Sequence, residues 1–131
     1  MSMMVFTTTE SLAEAERIGR ILVEEKLAAC VTILPGATSI YHWEDKLQVS
    51  PEFQLLIKSR SGLWKRLHKR LKALHSYKTP ELFAVKMQKA DRHYADWLKA
   101  NTRLIRVAGG ARPKPVAIST PAKANGEKPT G

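Results

Sequence analysis

The chain has a single cysteine, Cys30, in 131 residues, so an internal disulfide framework is excluded. A reducing, cytoplasmic setting is the simplest expectation. No apolar stretch approaches the ~20 residues that a membrane-spanning helix needs, so no span is expected. The opening Met1-Ser2-Met3-Met4-Val5-Phe6 has neither the basic start nor the long apolar run of a secretory signal. Catalytic signatures are missing as well: there is no G-x-S-x-G, Walker loop, H-E-x-x-H or G-x-G-x-x-G. Ser61-Gly62 and Gly109-Gly110 stand alone and read as turn and linker residues. A noncatalytic protein is the expectation. Acids are scarce, 12 against 22 bases, for a net charge of +10. Such a field draws anions and works against collecting cations except at a specific local site.

What is present suits one domain with a core, since a chain of this size buries about two thirds of its unfolded surface. Met3 to Thr8 reads as a buried strand. Ser11 and Glu14 form an S-x-x-E capping box. Leu12, Ala15, Ile18, Leu22 and Val23 then recur at helical spacing to about Lys26. Ala28 to Leu34 is a second strand, Pro35-Gly36 marks a bulge or kink, and Ala37 to Trp43 resumes the extended pattern. Glu44-Asp45-Lys46 is a turn in which Asp tolerates left-handed backbone. Phe53, Leu55 and Ile57 alternate with polar neighbours in a third strand, completing a long hairpin. Leu63, Trp64, Leu67, Leu71 and Leu74 mark a second helix, Glu81 to Met87 a fourth strand, and Asp91 an N-cap for a last helix carrying Tyr94, Trp97 and Leu98.

The order β-α-β-β-α-β-α predicts an α+β fold: a ferredoxin-like βαββαβ sandwich with an extra C-terminal helix and a long β2–β3 hairpin. The hairpin overhangs so small a sheet and carries Tyr41, Trp43, Leu47 and Val49, which need a partner; a second copy of the chain is the simplest one. The domain is expected over residues 1–103. Residues 104–131 contain four prolines, five bases and one acid, and read as a basic, disordered tail. Leu104 to Val107 has the pattern of a short edge strand.

The motifs Leu27-Ala28-Ala29-Cys30-Val31, Pro35-Gly36-Ala37-Thr38-Ser39-Ile40-Tyr41-His42-Trp43-Glu44, Leu56-Ile57-Lys58, Leu74-His75-Ser76-Tyr77, Thr79-Pro80-Glu81-Leu82 and Tyr94-Ala95-Asp96-Trp97-Leu98 are similar, in order and spacing, to those of the CutA divalent-cation-tolerance proteins. The resemblance covers about residues 3–102. It implies a homotrimer like the PII signalling proteins, and a link to divalent-cation tolerance, the response to metal ion and copper binding. It also implies a small-ligand cleft between subunits formed by Tyr41, Trp43, Glu44, Lys58, Tyr77 and Glu81. As cofactor it implies copper or another divalent cation, with His75 as the surviving ligand position; apart from the resemblance, Cys30 is the other candidate ligand, weighed against the plainer reading of a small core residue at a strand start. This chain departs from the family pattern at Asp45, where Gly is usual, at Gln48, where an acid is usual, and at Ser76, where Pro is usual. Phe6 and Leu74 stand where members with a proposed copper site carry Cys and His, leaving His75.

A second function class comes from the residues themselves. The helix bearing Lys65, Arg66, Lys69, Arg70 and Lys72 has no acid, so an anion or nucleic-acid binding module using this helix and the tail is the alternative. The aromatic pattern of sheet-based RNA binders is missing from the central strands.

Overall fold

The computed structural model describes residues 1–104. The tail expected over residues 104–131, and the strand considered for Leu104 to Val107, therefore lie outside the described residues except for Leu104. The chain runs β1 (Ser2–Thr9), α1 (Leu12–Glu24), β2 (Cys30–Trp43), β3 (Lys46–Arg60), a 3-10 turn (Ser61–Leu63), α2 (Trp64–Leu74), β4 (Phe83–Lys86) and α3 (Arg92–Ala100). The strands form one sheet in the order β2-β3-β1-β4, every neighbouring pair antiparallel. Each crossover therefore skips one strand, which is the split βαβ pattern of the ferredoxin-like fold.

Local chemistry explains the element boundaries. The Ser11 hydroxyl accepts the Glu14 N–H at 3.1 Å and starts α1. The other half of the expected capping box does not form, because the Glu14 carboxylate accepts instead from the N–H and hydroxyl of Ser76, both at 2.9 Å. α1 stops short of Lys26, which adopts a left-handed φ of 61° while the Leu27 N–H returns to the Leu22 carbonyl at 3.0 Å. β4 is shorter than the Glu81-to-Met87 expectation, since its pairing with β1 spans Phe83 to Lys86. At α3, Asp91 accepts the Tyr94 N–H at 3.0 Å, as an N-cap should.

The core lies between the sheet and the first two helices. Val5, Leu55 and Ile57 from the sheet meet Ala15, Ile18 and Leu22 of α1 and Leu63, Leu67 and Leu71 around α2, all fully buried. Each large aliphatic side chain so buried contributes roughly 1.5–3 kcal/mol before the entropy cost of folding is subtracted. α3 packs against the other side of the sheet. It is tied there by Arg60, whose guanidinium donates to the Thr102 hydroxyl at 2.7 Å and the Thr102 carbonyl at 2.8 Å. Leu98 is the fully buried residue of that smaller contact.

β1 pairs with β3 only from Arg60 to Phe53. The β2–β3 pairs from Ala37↔Glu52 to Trp43↔Lys46 therefore extend past the sheet as a two-stranded ribbon. The ribbon begins at a register shift between Leu34 and Ala37, where Gly36 takes a φ of 82° that Pro-Gly supplies without strain. It ends in a two-residue turn with Glu44 at φ 53° and Asp45 at φ 64°, the twist that a tight hairpin requires. One ribbon face carries Ile40, Leu47 and Val49, each more than 60% exposed.

Candidate ligand cleft at the base of the ribbon

A residue that sequence reasoning did not single out, Glu52, organises the site. It sits opposite Ala37, just past the bulge, and is buried. One carboxylate oxygen accepts from the Ser39 hydroxyl and the other from the Tyr77 phenol, both at 2.7 Å. Both lengths fit strong hydrogen bonds from hydroxyl donors to a carboxylate. Sequence alone offers no signal for it, because the pairing of Glu52 with the Pro-Gly break is set by the strand register. Tyr77 is held well above the usual phenol range, by burial first and then by donation to Glu52. Burial and the neighbouring Glu52 also raise the Glu81 carboxyl. Tyr41 shares this ribbon face, with its phenol oxygen 3.2 Å from the Ser50 hydroxyl.

Tyr41, Tyr77 and Glu81 of the expected set thus gather around Glu52. The others lie elsewhere in the protomer. Trp43 and Glu44 are exposed at the ribbon's far end, within two residues of the turn. Lys58 is in the middle of the sheet on β3, opposite Cys30, and its ammonium donates to the Thr32 hydroxyl. The gathered part can hold a polar or charged ligand with two phenols and two carboxyls.

The expected metal ligands do not meet in one chain. His75 is buried, and both of its ring nitrogens are engaged. Nδ1 accepts the Tyr77 N–H at 3.2 Å, so Nε2 carries the proton and faces the Thr7 hydroxyl at 3.0 Å. Burial pushes the imidazolium below its usual range despite the Glu14 carboxylate 3.8 Å away. Cys30 is on β2 with the Lys58 ammonium 3.8 Å from its sulfur, a neighbour that repels a cation. Burial and the Cys30 side chain together raise the Tyr94 phenol. No group of three His, Cys, Asp or Glu side chains is placed to hold a metal among the described residues. A copper centre does not fit the residues of a single protomer, because copper needs further nitrogen or sulfur donors.

An antiparallel β2-β3-β1-β4 sheet, helices on both sides and a projecting ribbon define a ferredoxin-like α+β protein. The profile of the CutA1 divalent ion tolerance protein family matches residues 3–101. The chain belongs to the CutA divalent-cation-tolerance family. The divalent-cation tolerance protein CutA of Thermus thermophilus is 43% identical over 102 residues, covering 78% of this chain and 99% of the relative. Its solved structure matches with a TM-score of 0.76 over 79% of this chain and all of the other. The CutA structure from Xylella fastidiosa matches at 41% identity and a TM-score of 0.76, over 78% of this chain and 98% of that one.

The expectation of a cytoplasmic location is corrected. A similar structure from Archaeoglobus fulgidus, 38% identical with a TM-score of 0.75 over 77% of this chain and 98% of the other, is described as a periplasmic divalent cation tolerance protein. The expectation rested on a lone cysteine, which forbids an internal disulfide in any compartment and so carries no compartment information. No helix among the described residues is long and apolar enough to cross a membrane.

Proposed function

We propose that this chain is a noncatalytic divalent-cation-tolerance protein that works as a homotrimer and binds a small ligand or divalent cation in clefts between its subunits, in the manner of PII proteins. The observation that carries this reading is the ribbon. Ile40, Leu47 and Val49 form an apolar face on two strands that no other described residue covers. Association of identical chains through that face would bring the tip residues Trp43 and Glu44 of one chain to another chain's sheet. There they would join Lys58 and the group of Tyr41, Tyr77 and Glu81. A cleft with aromatic walls and a few charged groups suits a small polar ligand. Copper or another divalent cation would then need donors from more than one chain, since Cys30 and His75 of one protomer are committed to their own neighbours.

Two measurements test the reading. Light scattering of the purified chain should give about three times the 14.7 kDa of one protomer. A stable monomer at micromolar concentration would end the proposal. Copper(II) and other divalent ions titrated calorimetrically into the assembled protein should give a saturable signal that Glu44→Ala weakens. A signal unchanged by Glu44→Ala and by Glu81→Gln would remove the inter-subunit cleft as the binding place.

A further inference from the structure

The cover over the sheet ends at its β4 edge. Met3 and Val5 on β1 are buried in the core beneath the helices. Their direct partners on β4, Lys86 and Ala84, share that face of the sheet but are exposed, as are all four β4 residues. The step from the covered strand to the uncovered one leaves a cavity of about 410 Å³. Met3, Trp64, Leu82 and Ala84 give it apolar walls, and Ser61 and Lys86 supply its polar groups. Two backbone hydrogen bonds to the start of the chain hold those groups near one another. The Ser61 N–H donates to the Met1 carbonyl at 2.8 Å, and the Met87 N–H donates to the Ser2 carbonyl at 2.9 Å. The Ser61 Oγ is buried and has no hydrogen-bond partner among the described residues. Lys86 forms no ion pair with a described acid, and no acid lines the cavity. The ribbon cleft is at the other end of the sheet: Met3 pairs with Ser59, whereas Glu52 lies past the last β1 pair, Thr9 with Phe53.

We propose that this cavity binds a small monocarboxylate with an apolar body, such as a medium-chain fatty acid or an arylacetic acid. Its volume falls in the range of small-molecule sites, about 300–1,000 Å³, and its lining follows their pattern of apolar walls with a few placed polar groups. The body of the acid lies against Trp64 and Leu82, and its carboxylate accepts from the Ser61 hydroxyl and pairs with the Lys86 ammonium. A buried hydroxyl without a partner is costly, and a ligand oxygen removes that cost. One ammonium matches one negative charge, so a phosphate dianion would leave charge unpaired against apolar walls. An amine fits worse, because Lys86 repels it and no carboxylate lines the cavity to receive it.

Octanoate and phenylacetate, titrated separately into the full chain by calorimetry, should each bind saturably at one site per chain, and octylamine should not. Trp64 reports the place: with Trp43→Phe and Trp97→Phe it is the sole tryptophan, and both acids should shift its emission. Lys86→Gln changes an exposed side chain and should weaken both acids about 10-fold, as expected for a lost charge-assisted hydrogen bond. Ser61→Ala should weaken them about threefold, yet hold or raise the melting temperature without ligand because it removes the unpartnered hydroxyl. Glu81→Gln, at the ribbon base, should leave both affinities unchanged. Absence of saturable binding overturns the proposal, as does binding that octylamine matches or that Lys86→Gln leaves intact. Binding lost in Glu81→Gln instead places the acid in the ribbon cleft and overturns it. Binding confined to a monomeric variant overturns it as well, by giving the cavity to a second copy of the chain.

Discussion

The same strand, β3, belongs to two regions with opposite physics. From Phe53 to Arg60 it lies in the sheet, and Leu55, Ile57 and Ser59 are completely buried. From Lys46 to Glu52 it forms half of the ribbon, and Leu47 and Val49 are exposed to more than 60%. The alternation of apolar and polar residues barely changes between the two stretches. What changes is the neighbour: α1 and α2 cover the first, and nothing among the described residues covers the second. Stability of the fold therefore resides in the sandwich. The ribbon's apolar face has value only when another molecule covers it. A two-stranded hairpin without such cover is marginal in water.

The strongest way to break this contrast is to remove the ribbon's apolar face while keeping the ribbon. Ile40 pairs directly with Val49, so Ile40→Glu with Val49→Lys leaves an opposite-charge cross-strand pair. This variant should abolish assembly, seen as a drop to the monomer's mass in sedimentation, while far-ultraviolet circular dichroism stays native. The sandwich should answer differently. Leu55→Ala should lower its unfolding free energy by about 2–5 kcal/mol in urea titration, because a fully buried side chain leaves a cavity.

The joint between the regions lies at Glu52. Tyr77→Phe withdraws one of its two donors and should cost about 1–3 kcal/mol, measured the same way, since the carboxylate stays buried. Stability should also fall as the solution is acidified. His75 holds its proton less tightly when folded than when unfolded, so the unfolded chain takes up a proton first as pH drops below about 6.5. The loss begins there and levels off below the depressed folded value; His75→Asn should flatten this part of the profile. The smallest effect belongs to Glu81. Its carboxyl is raised by burial and by Glu52, so Glu81→Gln should raise the melting temperature slightly at pH 7, and the gain should vanish by about pH 4 as Glu81 protonates in both states.

Much of the architecture was legible because local signals agreed with the fold. Ser11 and Asp91 cap the helices they were expected to cap, Pro35-Gly36 marks the bulge, and Asp45 occupies a left-handed turn. Element edges set by tertiary contacts were not legible. Glu14 leaves the capping box for Ser76, 62 residues away, and no local pattern announces that exchange. α3 sits on the opposite side of the sheet because Arg60 reaches Thr102, a contact between distant segments. The site was legible only in part. Tyr41, Tyr77 and Glu81 were named, but Glu52, which holds Tyr77 and lies beside Glu81, looks in sequence like one more exposed strand acid. His75 was read as a potential ligand because sequence cannot show that Thr7 and the Tyr77 amide already occupy its nitrogens.

Both ends of the described chain meet at one place. The Ser61 N–H donates to the Met1 carbonyl at 2.8 Å, and Leu104 lies on Gly62. The hairpin tip is at the opposite end of β3, some 50 Å away along an extended strand of that length. A fluorophore attached at the first residue would therefore sit far from its own ribbon tip but within a few residues of Lys58, so a second dye at the tip would report on how far the ribbon reaches along another chain's sheet.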